Sequence, residues 1–278
     1  MTHWQRPKRF QFDELEKIDT AHSWYEVYKL PQNIYAICEP HHFQEIISFL
    51  IVGDTKALLW DTGMGIFPIM PIVKHLTQLS VIAVNSHSHF DHVGSNSEFD
   101  AVYGFVNKVS SDRAANCWKP SDSDENFYPQ AFEAGFDCPP DFVQAGYKLK
   151  EVTDNTVFDI GGRIWKVLHT PGHSSDSIVL YCEKEKLVLT GDTVYPGTIY
   201  AQQNLQQYAD TCRRLAEKFG DYTLLCSHNE PMRKGEYILQ LCEAFDAVLN
   251  NKTNPRHCEG GLYVHTWKEI SILTGISG

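Results

Sequence analysis

The sequence predicts an α/β protein, and three observations carry that expectation. Short runs rich in Ile, Val, Leu and aromatics recur between turn signals in the first third of the chain. Two later segments, 204–219 and 235–249, carry apolar residues at helical spacing on either side of a further strand run, Tyr222 to Ser227. Histidines and aspartates gather where predicted strands end, most densely in Asn85 to Asn96, NSHSHFDHVGSN.

Taken in order, Asn33 to Glu39, Glu45 to Val52 and Ala57 to Trp60 read as an antiparallel meander separated by turns. The meander ends in Asp61-Thr62-Gly63. A carboxylate at the end of a buried strand needs partners, so Asp61 is predicted to accept the second N–H of a metal-held histidine. Ile66 to Leu79 is predicted helical after its prolines, and it leads to a short buried strand, Val81 to Val84. On leaving that strand, His87 and His89 share one side because successive side chains alternate. The chain then turns and brings Asp91 and His92 round from another direction. Val93-Gly94 followed by Ser95 and Asn96 suits a turn that opens a helix. Two divergent sets of imidazole and carboxylate ligands suit two metal ions.

Residues 100–150 change character. Trp118, Phe127, Tyr128, Phe132, Phe136, Phe142 and Tyr147 stand among many Ser, Asp, Asn and Pro residues with weak periodicity. Such a segment is expected to be a lid or substrate-binding insertion favouring an apolar or acyl-bearing small molecule; the competing reading is that the aromatics anchor it to the core. His41 and His42, in a hairpin turn, are candidates to overhang the site. Regular signals resume with TVFDI and RIWKVLH around Gly161-Gly162, and the second strand runs into His169 and the TPGH turn that holds His173. His169 reads as a strand residue rather than a ligand. Another hairpin closes in Gly191-Asp192-Thr193, the Tyr222 strand delivers His228, and Leu262 to Leu273 reads as a last edge strand or short helix.

Composition limits the function. A net charge of −11 from 24 basic and 35 acidic residues, with no basic stripe, argues against a nucleic-acid partner. No apolar run reaches the length of a membrane span, no apolar stretch follows the basic N-terminal residues, and the eight cysteines are scattered singly. These features predict a cytoplasmic protein with reduced thiols, no membrane partner and one domain over 1–278. They say nothing of oligomeric state.

The motifs in their order, DTG at 61–63, SHSHFDH at 86–92, TPGH at 170–173, GDT at 191–193 and SH at 227–228, resemble the metallo-beta-lactamase-fold superfamily. The resemblance implies a four-layer αβ/βα sandwich and a site at one edge, in which His87, His89 and His173 hold one metal, Asp91, His92 and His228 the other, and Asp192 bridges them. Two Zn ions suit these ligands, with Fe or Mn possible. A hydroxide held by the metals would be the nucleophile. Asp91 would orient it and pass its proton to the leaving group, and Tyr195 would donate to the oxyanion. An Asp at the bridging position and the missing export signal both count against antibiotic hydrolysis. The expected activity is therefore hydrolysis of a carboxylic ester, lactone or thioester, as in glyoxalase-II, lactonase and acyl-CoA thioesterase-like members. The alternatives are a phosphodiesterase on a small substrate and a mono-iron thiol or persulfide oxygenase.

Overall fold

In the computed structural model, which describes residues 2–121 and 123–275, the chain divides into two compact units. Unit 1 comprises residues 1–152 and 158–164, and unit 2 comprises 153–157 and 165–278. Asp122, within the predicted insertion, and both ends of the predicted 1–278 domain lie outside the described residues. No helix among the described residues is long and apolar enough to cross a membrane.

Unit 1 is built on eight strands in sequential order: β1 (Glu16–Ile18), β2 (Glu26–Leu30), β3 (Ile34–Cys38), β4 (Ile47–Val52), β5 (Lys56–Trp60), β6 (Ser80–Val84), β7 (Val102–Phe105) and β8 (Leu149–Val152). The predicted meander is present, with Ile34 opposite Ile51 and Phe49 opposite Trp60 in antiparallel pairs. From β5 onward the pairing is parallel, because α1 (Met70–Leu76) and later segments carry the chain back before each strand. α1 is shorter than predicted. Pro71 sits in its first turn, where a missing N–H costs nothing, and the helix cannot extend back through Pro68.

The parallel register sets Trp60 beside Val84, so Asp61 and the Asn85-Ser86 pair leave the sheet at the same end. Beyond it the turn at Gly94-Ser95 opens a 3-10 helix, Asn96–Glu98, as expected, but the structure adds a short helix before it, α2 (Phe90–Val93), which holds Asp91 and His92 and stops at Gly94. The reason is a backbone crossing. A Cβ on Gly94 would lie 2.1 Å from the Met64 carbonyl carbon, and one on Gly65 would lie 2.4 Å from the carbonyl carbon of Gly94. The Gly94 amide donates to the Gly63 carbonyl at 2.8 Å, so the DTGMG loop and the end of α2 touch main chain to main chain.

The insertion adds α3 (Lys108–Ala115) and two 3-10 turns to unit 1. Phe127, Phe132 and Phe142 are buried in one apolar cluster with Trp24, Ile37, Leu50, Leu59 and Met64. The anchoring reading thus holds for these three rings, whereas Tyr128 is exposed.

Unit 2 centres on five strands, β10 (Ile164–His169), β11 (Ile178–Cys182), β12 (Leu187–Gly191), β14 (Thr223–Cys226) and β15 (Met232–Lys234), in the order β15-β14-β12-β11-β10, while β9 (Val157–Asp159) falls mostly in the 158–164 stretch of unit 1. β12 and β14 run parallel, with Leu189 beside Leu225 and Gly191 beside Cys226, so Asp192 and His228 emerge at one end. The crossover between them contains α4 (Leu205–Phe219), capped by the Asn204 side chain accepting from the Gln207 amide at 2.9 Å. α4 buries Tyr208, Cys212, Leu215 and Phe219 in the same cluster as Ile238, Leu241 and Phe245 of α5 (Glu236–Leu249).

The C-terminal expectation is corrected. Residues 262–274 form two strands, β17 (Leu262–Trp267) and β18 (Ile270–Thr274), which with β13 (Thr198–Ala201) and β16 (Arg256–Cys258) make a four-stranded sheet. Lys268 takes a left-handed backbone at φ 54° and turns the chain between them.

Gly94→Ala is expected to destabilise the protein by about 1–3 kcal/mol, since the added methyl meets main chain that has no rotamer to yield. Chemical denaturation of the variant beside wild type measures it.

Candidate functional site

Asp61 organises the ligand cluster of unit 1. It is buried and holds a left-handed backbone at φ 61°, a strained state for a non-glycine residue that is kept only where its surroundings enforce it. Its Oδ1 accepts the Ser86 amide at 2.7 Å. Its Oδ2 accepts the Ser86 hydroxyl at 2.9 Å and His92 Nδ1 at 2.8 Å. With its proton on Asp61, the Ser86 hydroxyl accepts from His87 Nδ1 at 2.9 Å. One carboxylate therefore sets the tautomer of two histidines, His92 directly and His87 through Ser86. Nε2 of each ring is left as the ligand atom.

The remaining candidate ligands of unit 1 converge on the same place. His87 Nε2 faces His89 Nδ1 at 2.9 Å, and His92 Nε2 stands 3.7 Å from Asp91 Oδ2. A buried polar lattice backs them: Asn85 donates to the His92 carbonyl at 3.0 Å, and Asn96 donates to the Asn85 side-chain oxygen at 2.8 Å.

In unit 2, Asp192 lies between two imidazoles. One of its oxygens is 3.0 Å from His228 Nε2 and the other is 3.5 Å from His173 Nε2. His173 Nδ1 donates to the Tyr200 carbonyl at 3.3 Å, which again leaves Nε2 as the ligand atom. The Tyr208 hydroxyl donates to the Asp192 and Thr193 carbonyls at 2.8 and 2.9 Å and pins the turn. Tyr195 is buried, with its ring 5.1 Å from that of His228 and its hydroxyl donating to the Thr198 carbonyl.

Donor chemistry in both units fits a divalent cation. The donors are imidazole nitrogens and carboxylate oxygens, on buried residues except for His89, with the far nitrogens of His87, His92 and His173 already held. His87, His89, Asp91 and His92 in unit 1, and His173, Asp192 and His228 in unit 2, all belong to groups able to hold metal ions.

Other histidines are engaged elsewhere. His42 is bonded to the Asn126 carbonyl at 2.7 Å, His41 Nδ1 lies 2.6 Å from Glu133, and His169 Nε2 meets the Ser175 carbonyl at 3.0 Å.

Sequence reasoning missed Ser86 and Glu39. The serine was visible only as a small polar residue before the first histidine. Glu39 is buried, accepting Trp24 Nε1 at 2.7 Å and the Met64 amide at 2.9 Å. Burial pushes its carboxyl up to about 7, against the lowering by those two bonds, and the Asp91 charge adds to the rise.

The metallo-beta-lactamase superfamily model matches residues 46–228, a span that contains all seven predicted ligands. The chain belongs to this superfamily. A human protein named acyl-coenzyme A thioesterase MBLAC2 is 28% identical over 224 residues, 71% of this chain and 77% of that protein. An atrochrysone carboxyl ACP thioesterase of Aspergillus chevalieri is 24% identical over 172 residues, 59% of this chain and 45% of that protein. A beta-lactamase domain protein from Burkholderia ambifaria shares the fold at a TM-score of 0.59 and 19% identity, covering 82% of this chain and 75% of its own. The mixed α/β fold with several sheets is thus that of the superfamily.

Replacing Asp61 by Asn is expected to weaken binding of an added divalent metal ion about 10- to 100-fold, because it removes the acceptor that holds two rings; competition with a chromophoric chelator measures it. A second expectation concerns pH. In metal-free protein Glu39 keeps its proton when folded up to about 7 and loses it when unfolded near 4.5. The folded state therefore binds more protons between those values, and stability falls as pH rises through that window. Glu39→Gln should flatten this limb in denaturation curves taken across it.

Proposed function

We propose that this chain is a dinuclear zinc hydrolase of acyl thioesters. Support for the zinc pair is the arrangement of Asp192, whose two oxygens face two different histidines, as a bridging carboxylate would. Support for hydrolysis is the superfamily match across every candidate ligand. The thioester is favoured over ester and lactone by the names of the relatives at 28% and 24% identity. In this reading His87, His89 and His173 would hold one ion, Asp91, His92 and His228 would hold the other, and Asp192 would serve both. Two such ions, when bound, supply an activated water and charge stabilisation at the carbonyl oxygen.

The chain's own residues do the rest. Asp91 orients the attacking water and takes its proton. Water oxygen bonds to the acyl carbon, the C–S bond breaks, and the proton passes from Asp91 to the departing sulfur, so acid and thiol leave. A thiol leaves with a pKa near 8.5, so the leaving group asks little of that acid, and orientation of the water is the larger part of Asp91's work. Tyr195 donates to the carbonyl oxygen as charge develops there, on turning from the Thr198 carbonyl. Of residues 100–150, the part between β7 and β8 acts as the lid of a single working domain, and the substrate is a small acyl-bearing molecule. The eight free cysteines accord with work in the reducing cytoplasm.

Metal analysis of protein purified without added metal, with the same sample assayed on a thioester, a lactone and a phosphodiester, tests the proposal. About two zinc ions per chain and thioester turnover lost to chelator are expected. One iron per chain without hydrolysis would sink it. Asp192→Asn should lower both metal content and turnover, and Tyr195→Phe should lower kcat about tenfold or more while leaving metal content unchanged.

A further inference from the structure

Gln144 lies in the insertion, far in sequence from every motif, and is 1% exposed. Its side-chain Nε2 donates to two main-chain carbonyls, that of Met64 at 2.6 Å and that of Phe90 at 2.8 Å. Its Oε1 accepts from Arg113 of α3. Its own backbone exchanges bonds with Trp118, amide to carbonyl at 2.8 and 2.9 Å. One side chain thus joins the DTGMG loop, the ligand helix and the insertion.

The contact at Phe90 is the telling one. That carbonyl belongs to the peptide joining Phe90 to Asp91, so the bond fixes the plane from which Asp91 and then His92 project. Met64 is held on its other side as well, since its amide donates to Glu39. Phe90 stacks on Trp118, with centroids 5.5 Å apart and planes 13° apart, and the Arg113 guanidinium lies 5.3 Å from the Trp118 ring centroid. Only a primary amide serves here. The carbonyl end requires a donor and the Arg113 end an acceptor, which neither a carboxylate nor an apolar chain supplies together.

We infer that Gln144 is a positioning residue through which the insertion sets the orientation of the Asp91–His92 ligand turn. This rests on the proposed assignment of Asp91 and His92 as metal ligands.

Gln144→Glu keeps size and the Arg113 contact but puts an acceptor oxygen against two carbonyls. Gln144→Met keeps volume and removes both polar ends. Phe132→Leu, in the same insertion and fully buried, is the structural control. Three quantities are measured on each: the zinc dissociation constant by chelator competition, the melting temperature of metal-free protein, and kcat and KM on the thioester that wild type hydrolyses. Gln144→Glu is expected to weaken zinc binding about 10- to 100-fold and lower kcat with KM within about twofold, and Gln144→Met to do the same to a smaller degree. Phe132→Leu should lower the melting temperature and leave zinc affinity unchanged.

Zinc binding by Gln144→Glu as tight as wild type would overturn the inference, as would an equal loss in Phe132→Leu at a matched melting temperature. Wild type that binds zinc but cleaves no thioester would overturn the proposed substrate alone, because the zinc readout still decides on Gln144. Wild type that binds no zinc would overturn both.

Discussion

The buried carboxylate of Asp61 is the constraint on which the unit 1 ligand cluster depends. It is held at a left-handed backbone position at the end of β5, where the parallel neighbour β6 brings Ser86 and the histidines alongside. A carboxylate buried this deeply is costly unless both oxygens find donors, and the amide and hydroxyl of Ser86 with the ring of His92 provide them. The same bonds orient the rings that would bind metal. Burial of the acid and readiness of the ligands are one arrangement.

Unit 2 reaches a comparable result by different means. Its parallel pair β12 and β14 again places an acid and a histidine at a shared strand end. There the second partners are main-chain carbonyls and a tyrosine, with Tyr200 accepting from His173 and Tyr208 donating to the turn at Asp192. Asp192 turns its side-chain oxygens to two different imidazoles. Such an acid suits a shared ligand better than a supporting one.

The insertion is more than a cover. Phe127, Phe132 and Phe142 give it a footing in the unit 1 core, and from that footing Gln144 reaches the carbonyls of two site loops. The hairpin histidines belong to the same construction: His41 meets Glu133 and His42 meets the Asn126 carbonyl, so rings that looked free to overhang the site serve to seat the segment. Packing that anchors a loop and hydrogen bonds that aim a ligand are here supplied by neighbouring residues of one stretch.

The sequence by itself determined which residue types stand at the strand ends. The meander through Trp60, the amphipathic periods of α4 and α5 and the motifs from Asp61 to His228 are local patterns, written in spacings of two to four residues, and they survive into the fold. Even the role of Asp61 followed from local logic, since a strand-end acid beside histidines has few other uses. Tertiary structure alone decided what these patterns do not encode. Asp91 and His92 sit inside a short helix because Gly94 must pass against the Met64–Gly65 backbone, a contact across some thirty residues. The last segment became two strands because Lys268 turned left-handed, which its side chain does not announce. Glu39, Ser86 and Gln144 carry no motif at all; each acts through a hydrogen bond to a group brought near by folding, and such a bond leaves no period in the chain to read.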